Sequence, residues 1–80
     1  MEAHEVAALV EKELPDCKIE VQVDGNHYLV VAIGDVFEGL STVKRQQMIN
    51  KALFQPLMDG AIHALHPRAF TPAEWAARKG

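Results

Sequence analysis

Eighty residues, 49% of them apolar and 24% charged, are enough for one small domain whose single core is only just sufficient to hold it folded. Eight Lys and Arg against eleven Asp and Glu leave a formal charge of −3, which argues against non-specific binding to nucleic-acid phosphates. Cys17 is the only cysteine, so an internal disulfide, a four-cysteine iron–sulfur site and a cysteine-based zinc finger are excluded for this chain alone.

No apolar run approaches the roughly 20 residues needed to cross a bilayer. The start, Met1-Glu2-Ala3-His4-Glu5, lacks the basic and then apolar pattern of a signal peptide. The expectation is a single domain over residues 1–80, located in the cytoplasm.

Val6, Leu9, Val10 and Leu14 recur at helical spacing across residues 2–14, and Pro15-Asp16 ends that helix. Residues 18–23 alternate, which puts Ile19, Val21 and Val23 on one face of a half-exposed strand. Asp24-Gly25-Asn26 signals a tight hairpin, and Tyr28 to Ile33 reads as a more completely buried central strand. Gly34 and Gly39 bracket a short irregular segment with Phe37 as its core anchor. Ser41 or Thr42 can cap a helix from about 42 to 58, with Val43, Ile49, Leu53 and Leu57 inward and Lys44, Arg45 and Lys51 on the wet side. Pro56 should kink or loosen its last turn. Asp59-Gly60 closes it, and residues 61–66 are predicted to form the third strand. Thr71-Pro72 with Glu74 starts a final helix, with Pro at its first position.

The order is therefore α-β-β-α-β-α. A helix between the second and third strands lets them lie parallel through a right-handed crossover. The predicted fold is α/β in the broad sense (α+β), a three-stranded mixed sheet with helices packed on one face.

Histidine carries the most informative chemistry. Imidazole is a poor core filler but a good ligand for a borderline metal. Alternation places His63 and Leu65 on one face of the predicted third strand, with Ile62 and Ala64 on the other. On spacing alone, the simpler reading of His63 is a strand histidine satisfied by a neighbouring carbonyl. His27, just after the turn, His66, before Pro67, and His4 read as solvated positions.

Cys17 reads as a small apolar residue at a strand entrance, with no basic cluster to depress its pKa. Lys44 and Arg45, with Arg68, Arg78 and Lys79 later, are either scattered surface charge or a patch facing a partner or DNA. Trp75 is expected to anchor the last helix. The Gly34–Gly39 segment has neither the Gly-x-x-Gly clamp of KH modules nor a P-loop Lys-Ser/Thr. No nucleophile triad, paired-carboxylate signature or self-sufficient metal site is visible, so the sequence points away from an enzyme.

Taken in order, Val36-Phe37-Glu38-Gly39-Leu40-Ser41, Val43-Lys44-Arg45-Gln46-Gln47, Ile62-His63-Ala64-Leu65 and Thr71-Pro72-Ala73-Glu74-Trp75 resemble the BolA family, in particular its short IbaG-like bacterial branch. The resemblance covers essentially the whole chain. It implies a fold similar to type II KH domains and association with a monothiol glutaredoxin, the heterodimer holding a bridging 2Fe–2S cluster. The family's histidine ligand falls on His63. A second ligand, often His or Cys, comes from the loop between the first two strands, where His27 is the better soft-metal donor and Asp24 the other ligand-type side chain. Glutaredoxin and glutathione thiolates would complete the four donors.

The resemblance also implies an alternative, since some members are described as DNA-binding transcription regulators of stress responses; Lys44, Arg45 and Arg68 are the residues for that role or for a partner-facing patch. The family's Arg-His-Arg start to the second helix is replaced here by Lys44-Arg45-Gln46-Gln47, which leaves less positive charge.

Overall fold

The computed structural model describes residues 1–79, with side chains as far as Arg78. Chain order is α1 (Ala3–Glu13), β1 (Lys18–Asp24), β2 (His27–Ile33), a single 3-10 turn (Asp35–Phe37), α2 (Thr42–Ala52), α3 (Phe54–Met58), β3 (Ala64–Phe70) and α4 (Pro72–Lys79). The sheet order is β1-β2-β3, antiparallel between β1 and β2 and parallel between β2 and β3. It is the mixed three-stranded sheet that the α-β-β-α-β-α order requires.

Strand alternation divides the sheet into two faces. Tyr28, Val30 and Ala32 of β2 are buried against Val6, Val10 and Leu14 of α1 and Ile49 of α2, with Leu53, Phe37 and Ile62 completing the core. The registered pairs Tyr28↔Leu65, Val30↔Pro67 and Ala32↔Ala69 carry that face onto β3. His27, Leu29 and Val31, with Ala64, His66 and Arg68, lie on the opposite face. There Trp75 and Arg78 of α4 border a shallow hollow with Glu20, Leu29, Arg68 and Phe70.

Two turns fix where the strands begin. Asp24 pairs with His27, so the hairpin loop is the two residues Gly25-Asn26. Gly25 takes φ +61°, the left-handed angle that glycine adopts at the first position of a hairpin turn. His27 therefore opens β2 immediately after the turn.

The second turn follows Pro56. The predicted single helix over 42–58 is divided at Leu53. Pro56 has no N–H to continue the ladder, and its ring would press on the carbonyl of Ala52 four residues back. The chain restarts as α3, placing Pro56 in a first turn where no donor is needed.

α3 ends in a Schellman motif. Gly60 N–H donates to the Leu57 carbonyl at 3.4 Å and Ala61 N–H to the Pro56 carbonyl at 2.9 Å, with Gly60 at φ +77°. Ile62 N–H also donates to Pro56, at 3.3 Å. With the amides of 60–62 committed backwards, the third strand starts at Ala64 rather than residue 61 and runs through Pro67 to Phe70.

Pro67 is tolerated because β3 is an edge. Ala64 N–H donates to the Asn26 carbonyl, and the Phe70 carbonyl accepts from Gly34 N–H at 2.9 Å, so even-numbered residues face β2. Odd-numbered Pro67 turns its missing donor outward.

Val43 and Arg45 exchange their expected places. Val43 is 62% exposed, being about 120° round the helix from Ile49, which is fully buried. Arg45 lies on the inward side instead, with only 15% of its side chain exposed. Ser41 is the helix cap, accepting from Lys44 N–H at 3.2 Å.

Gly34 is held by close approach rather than by backbone angle. A Cβ built there would lie 2.5 Å from Cys17 Sγ and 3.4 Å from Cys17 Cα. Gly34→Ala is therefore expected to lower unfolding free energy by about 1–3 kcal/mol, the usual cost of overpacking. Urea denaturation should show Cys17→Ala in that background recovering much of the loss; a double variant no better than Gly34→Ala would contradict the contact.

Candidate functional site at the histidine end of the sheet

The parallel pairing of β2 with β3 brings two distant parts of the chain to one end of the sheet. His27 is opposite Ala64 in register, and Ala64 N–H donates to the carbonyl of Asn26 at 3.3 Å. His63, immediately before β3, thus sits beside the strand pair that His27 opens.

His63 is exposed. It precedes the strand instead of lying within it, because the turn after α3 takes residues 60–62. Its ring lies beside Gly60, with Cε1 at 4.0 Å from where a glycine Cβ would stand. It borders an open groove formed by Gln47, Asn50 and Lys51 of α2, Phe54 and Leu57 of α3, and Leu65. Phe54 and Met58, one helical turn apart on α3, are 59% and 69% exposed. The groove thus presents an accessible imidazole among apolar side chains, two neutral amides and one lysine. The simpler reading of a strand histidine satisfied by a carbonyl does not hold, since the ring forms no hydrogen bond to a described residue.

His27 is exposed on the opposite face of the sheet, and its Nδ1 lies 3.0 Å from Nε2 of His66. Sequence reasoning passed over that pairing. His66 is opposite Leu29, two residues along from His27 on the same face, and such diagonal neighbours are within side-chain reach. Only the register reveals it. Among the described residues, no group of three or more His, Cys, Asp or Glu side chains comes together to hold a metal ion. Donors from this chain would have to be completed by another molecule.

The basic residues separate. Arg45 is engaged within the fold: Nε donates to the Leu40 carbonyl at 3.0 Å and one terminal nitrogen to the Ala69 carbonyl at 3.3 Å. Its two terminal nitrogens meet the Glu74 carboxylate at 2.7 and 3.3 Å, a two-pronged ion pair. Glu74 also accepts from Thr71 N–H at 2.8 Å, while Thr71 Oγ1 accepts from Glu74 N–H at 3.2 Å, a capping box at the start of α4. Arg45 is therefore a tie between α2, β3 and α4, and its charge is not free for a partner.

Lys44 and Arg68 are exposed. Arg78 is stacked over Phe70 at 5.1 Å and Trp75 at 5.5 Å, which holds α4 against β3. The Lys79 side chain is outside the described residues. Cys17 packs against the core, and burial, followed by the charge of Asp16, pushes its thiol pKa up. A protonated thiol suits packing rather than redox chemistry.

A three-stranded mixed sheet with four helices, bearing the exposed imidazoles of His27, His63 and His66, defines a small α+β domain. The chain belongs to the BolA family: the family model, described as BolA-like protein, matches residues 3–74. It is 40% identical over 76 residues to the acid stress protein IbaG of Escherichia coli K12, covering 95% of this chain and 90% of that protein. A bolA homologue from Coxiella burnetii superposes with a TM-score of 0.80 at 27% identity, over 95% of this chain and 97% of that one. The BolA domain of SufE1 from Arabidopsis thaliana superposes with a TM-score of 0.77 at 33% identity, over 90% and 93%. The expected family, and the IbaG-like branch within it, are those found.

The Arg45–Glu74 tie makes α4 acid-sensitive. The Arg45 hydrogen bonds, with the Thr71 amide behind them, hold the Glu74 carboxyl at about 2 instead of the ordinary 4.5. A depressed folded-state pKa stabilises above the unfolded value and is lost as pH falls towards the folded one. Docking of α4 should therefore weaken between about pH 4.5 and 2, read by Trp75 emission. Glu74→Gln should flatten that transition and loosen α4 at neutral pH. An unchanged acid profile in Glu74→Gln would show that another carboxylate controls it.

Proposed function

We propose that the protein is a non-enzymatic cytoplasmic adaptor that pairs with a monothiol glutaredoxin and shares a bridging 2Fe–2S cluster with it. His63 is the principal donor from this chain and His27 the second. The observation that carries the reading is His63, exposed at the rim of an open groove next to the paired starts of β2 and β3, in a chain that belongs to the BolA family.

The donor chemistry fits. Imidazole nitrogen is an established ligand for one iron of a 2Fe–2S centre, and replacing thiolate by imidazole raises the reduction potential. The missing donors are thiolates, which a glutaredoxin cysteine and glutathione supply. The chain's own contribution is presentation: the Schellman turn sets His63 at the groove, the hairpin turn sets His27 at the start of β2, and neither ring is enclosed. Phe54 and Leu57 beside His63 provide apolar surface for a companion protein to cover.

A role in acid stress, the one named for the Escherichia coli relative, is compatible with donors that bind metal only when unprotonated. No helix among the described residues is long and apolar enough to cross a membrane. The DNA-binding reading loses one of its three cations, since Arg45 is committed to Glu74, and the overall charge of −3 opposes the remaining two.

Anaerobic reconstitution with a monothiol glutaredoxin and glutathione tests the proposal. The mixture should give a visible circular dichroism spectrum distinct from that of glutaredoxin alone, and His63→Ala should abolish the difference while leaving the fold intact. A mixed spectrum indifferent to His63→Ala would remove this residue as a ligand. Labelled DNA titrated at several salt concentrations should show weak binding; tight binding with a steep salt slope would favour the regulator reading.

A further inference from the structure

We propose that His66 is a positioning residue for His27: when a metal occupies His27 Nε2, the Nδ1–H of that ring donates to His66 Nε2, fixing the tautomer and aim of the ligand. The inference rests on the cluster reading for its physiological occupant, and on the histidine pair itself for its geometry.

The two ring centres are 5.3 Å apart and the rings are inclined by 14°, while the facing nitrogens are 3.0 Å apart. The difference between those distances is close to two ring radii, so both nitrogens lie on the line between ring centres. The rings consequently meet end-on and nearly coplanar, rather than face to face. Two lone pairs aimed at each other do not chelate a common ion; a proton must sit between them as an N–H···N hydrogen bond.

A neutral imidazole has one bare nitrogen. If His27 gives the lone pair of Nε2 to a metal, Nδ1 must carry the proton, and His66 Nε2 is already in line to accept it. Metal-bound histidines almost always have such an acceptor on the second nitrogen, and its loss typically weakens the metal about 10–100-fold. Both rings are exposed, so no tight packing fixes His27. The hydrogen bond does so, and the parallel register supplies it by setting His66 diagonally across from His27.

Titrating Zn²⁺ alone into protein labelled with heavy nitrogen in its histidines reads both nitrogens of each ring by NMR. His27 Nε2 should move to a metal-bound shift while Nδ1 stays protonated. His66→Ala should weaken zinc at His27 about tenfold. His66→Gln, whose side-chain amide oxygen can occupy the place of Nε2, should restore most of that loss. Zinc taken at His27 Nδ1, zinc bridging both rings, His27 unmoved by zinc, or a His66→Ala variant with unchanged affinity and tautomer each overturns the proposal. If glutaredoxin yields no shared cluster while the zinc results hold, the cluster reading falls and the positioning role remains.

Discussion

The parallel pairing of β2 with β3 is the contact on which everything else turns. It is pinned at one end by Ala64 N–H on the Asn26 carbonyl and at the other by Gly34 N–H on the Phe70 carbonyl. Because side chains alternate, a slip of one residue would turn Leu65, Pro67 and Ala69 away from the core and send His66 into it. The same register places His63 beside the start of β2 and His66 beside His27. Core formation and presentation of the histidines are thus one constraint.

The approach to that pairing depends on α2 and α3. Pro56 divides the predicted helix, and its carbonyl then gathers the amides of Ala61 and Ile62, delaying the strand until Ala64. Ile62 is drawn into the core, while His63 is left just outside it, at the rim of a groove. The position of His63 follows from a proline six residues upstream of Ile62, with no special feature of the histidine itself.

Much of the fold was legible because its signals are local. The stripe of α1, the alternation of β1, the Gly25 turn, the Ser41 cap and the Thr71–Glu74 box all involve residues within a few positions of one another. What escaped depends on distance along the chain. Arg45 looked like a surface cation because its acceptors, Leu40, Ala69 and Glu74, are 5, 24 and 29 residues away. His66 looked solvated because its partner is 39 residues away, across a register that no composition encodes. The third strand was placed too early because Ala61-Ile62 is apolar enough for a strand, while its amides are already claimed by Pro56.

Pro67 lies midway along the outer rail of the sheet, with its donorless nitrogen turned away from β2. An incoming extended peptide would find that rail interrupted and could not zip continuously along β3. Edge-to-edge growth of the sheet is disfavoured at this border. The groove where Phe54 and His63 stand open offers side chains in place of a free strand edge.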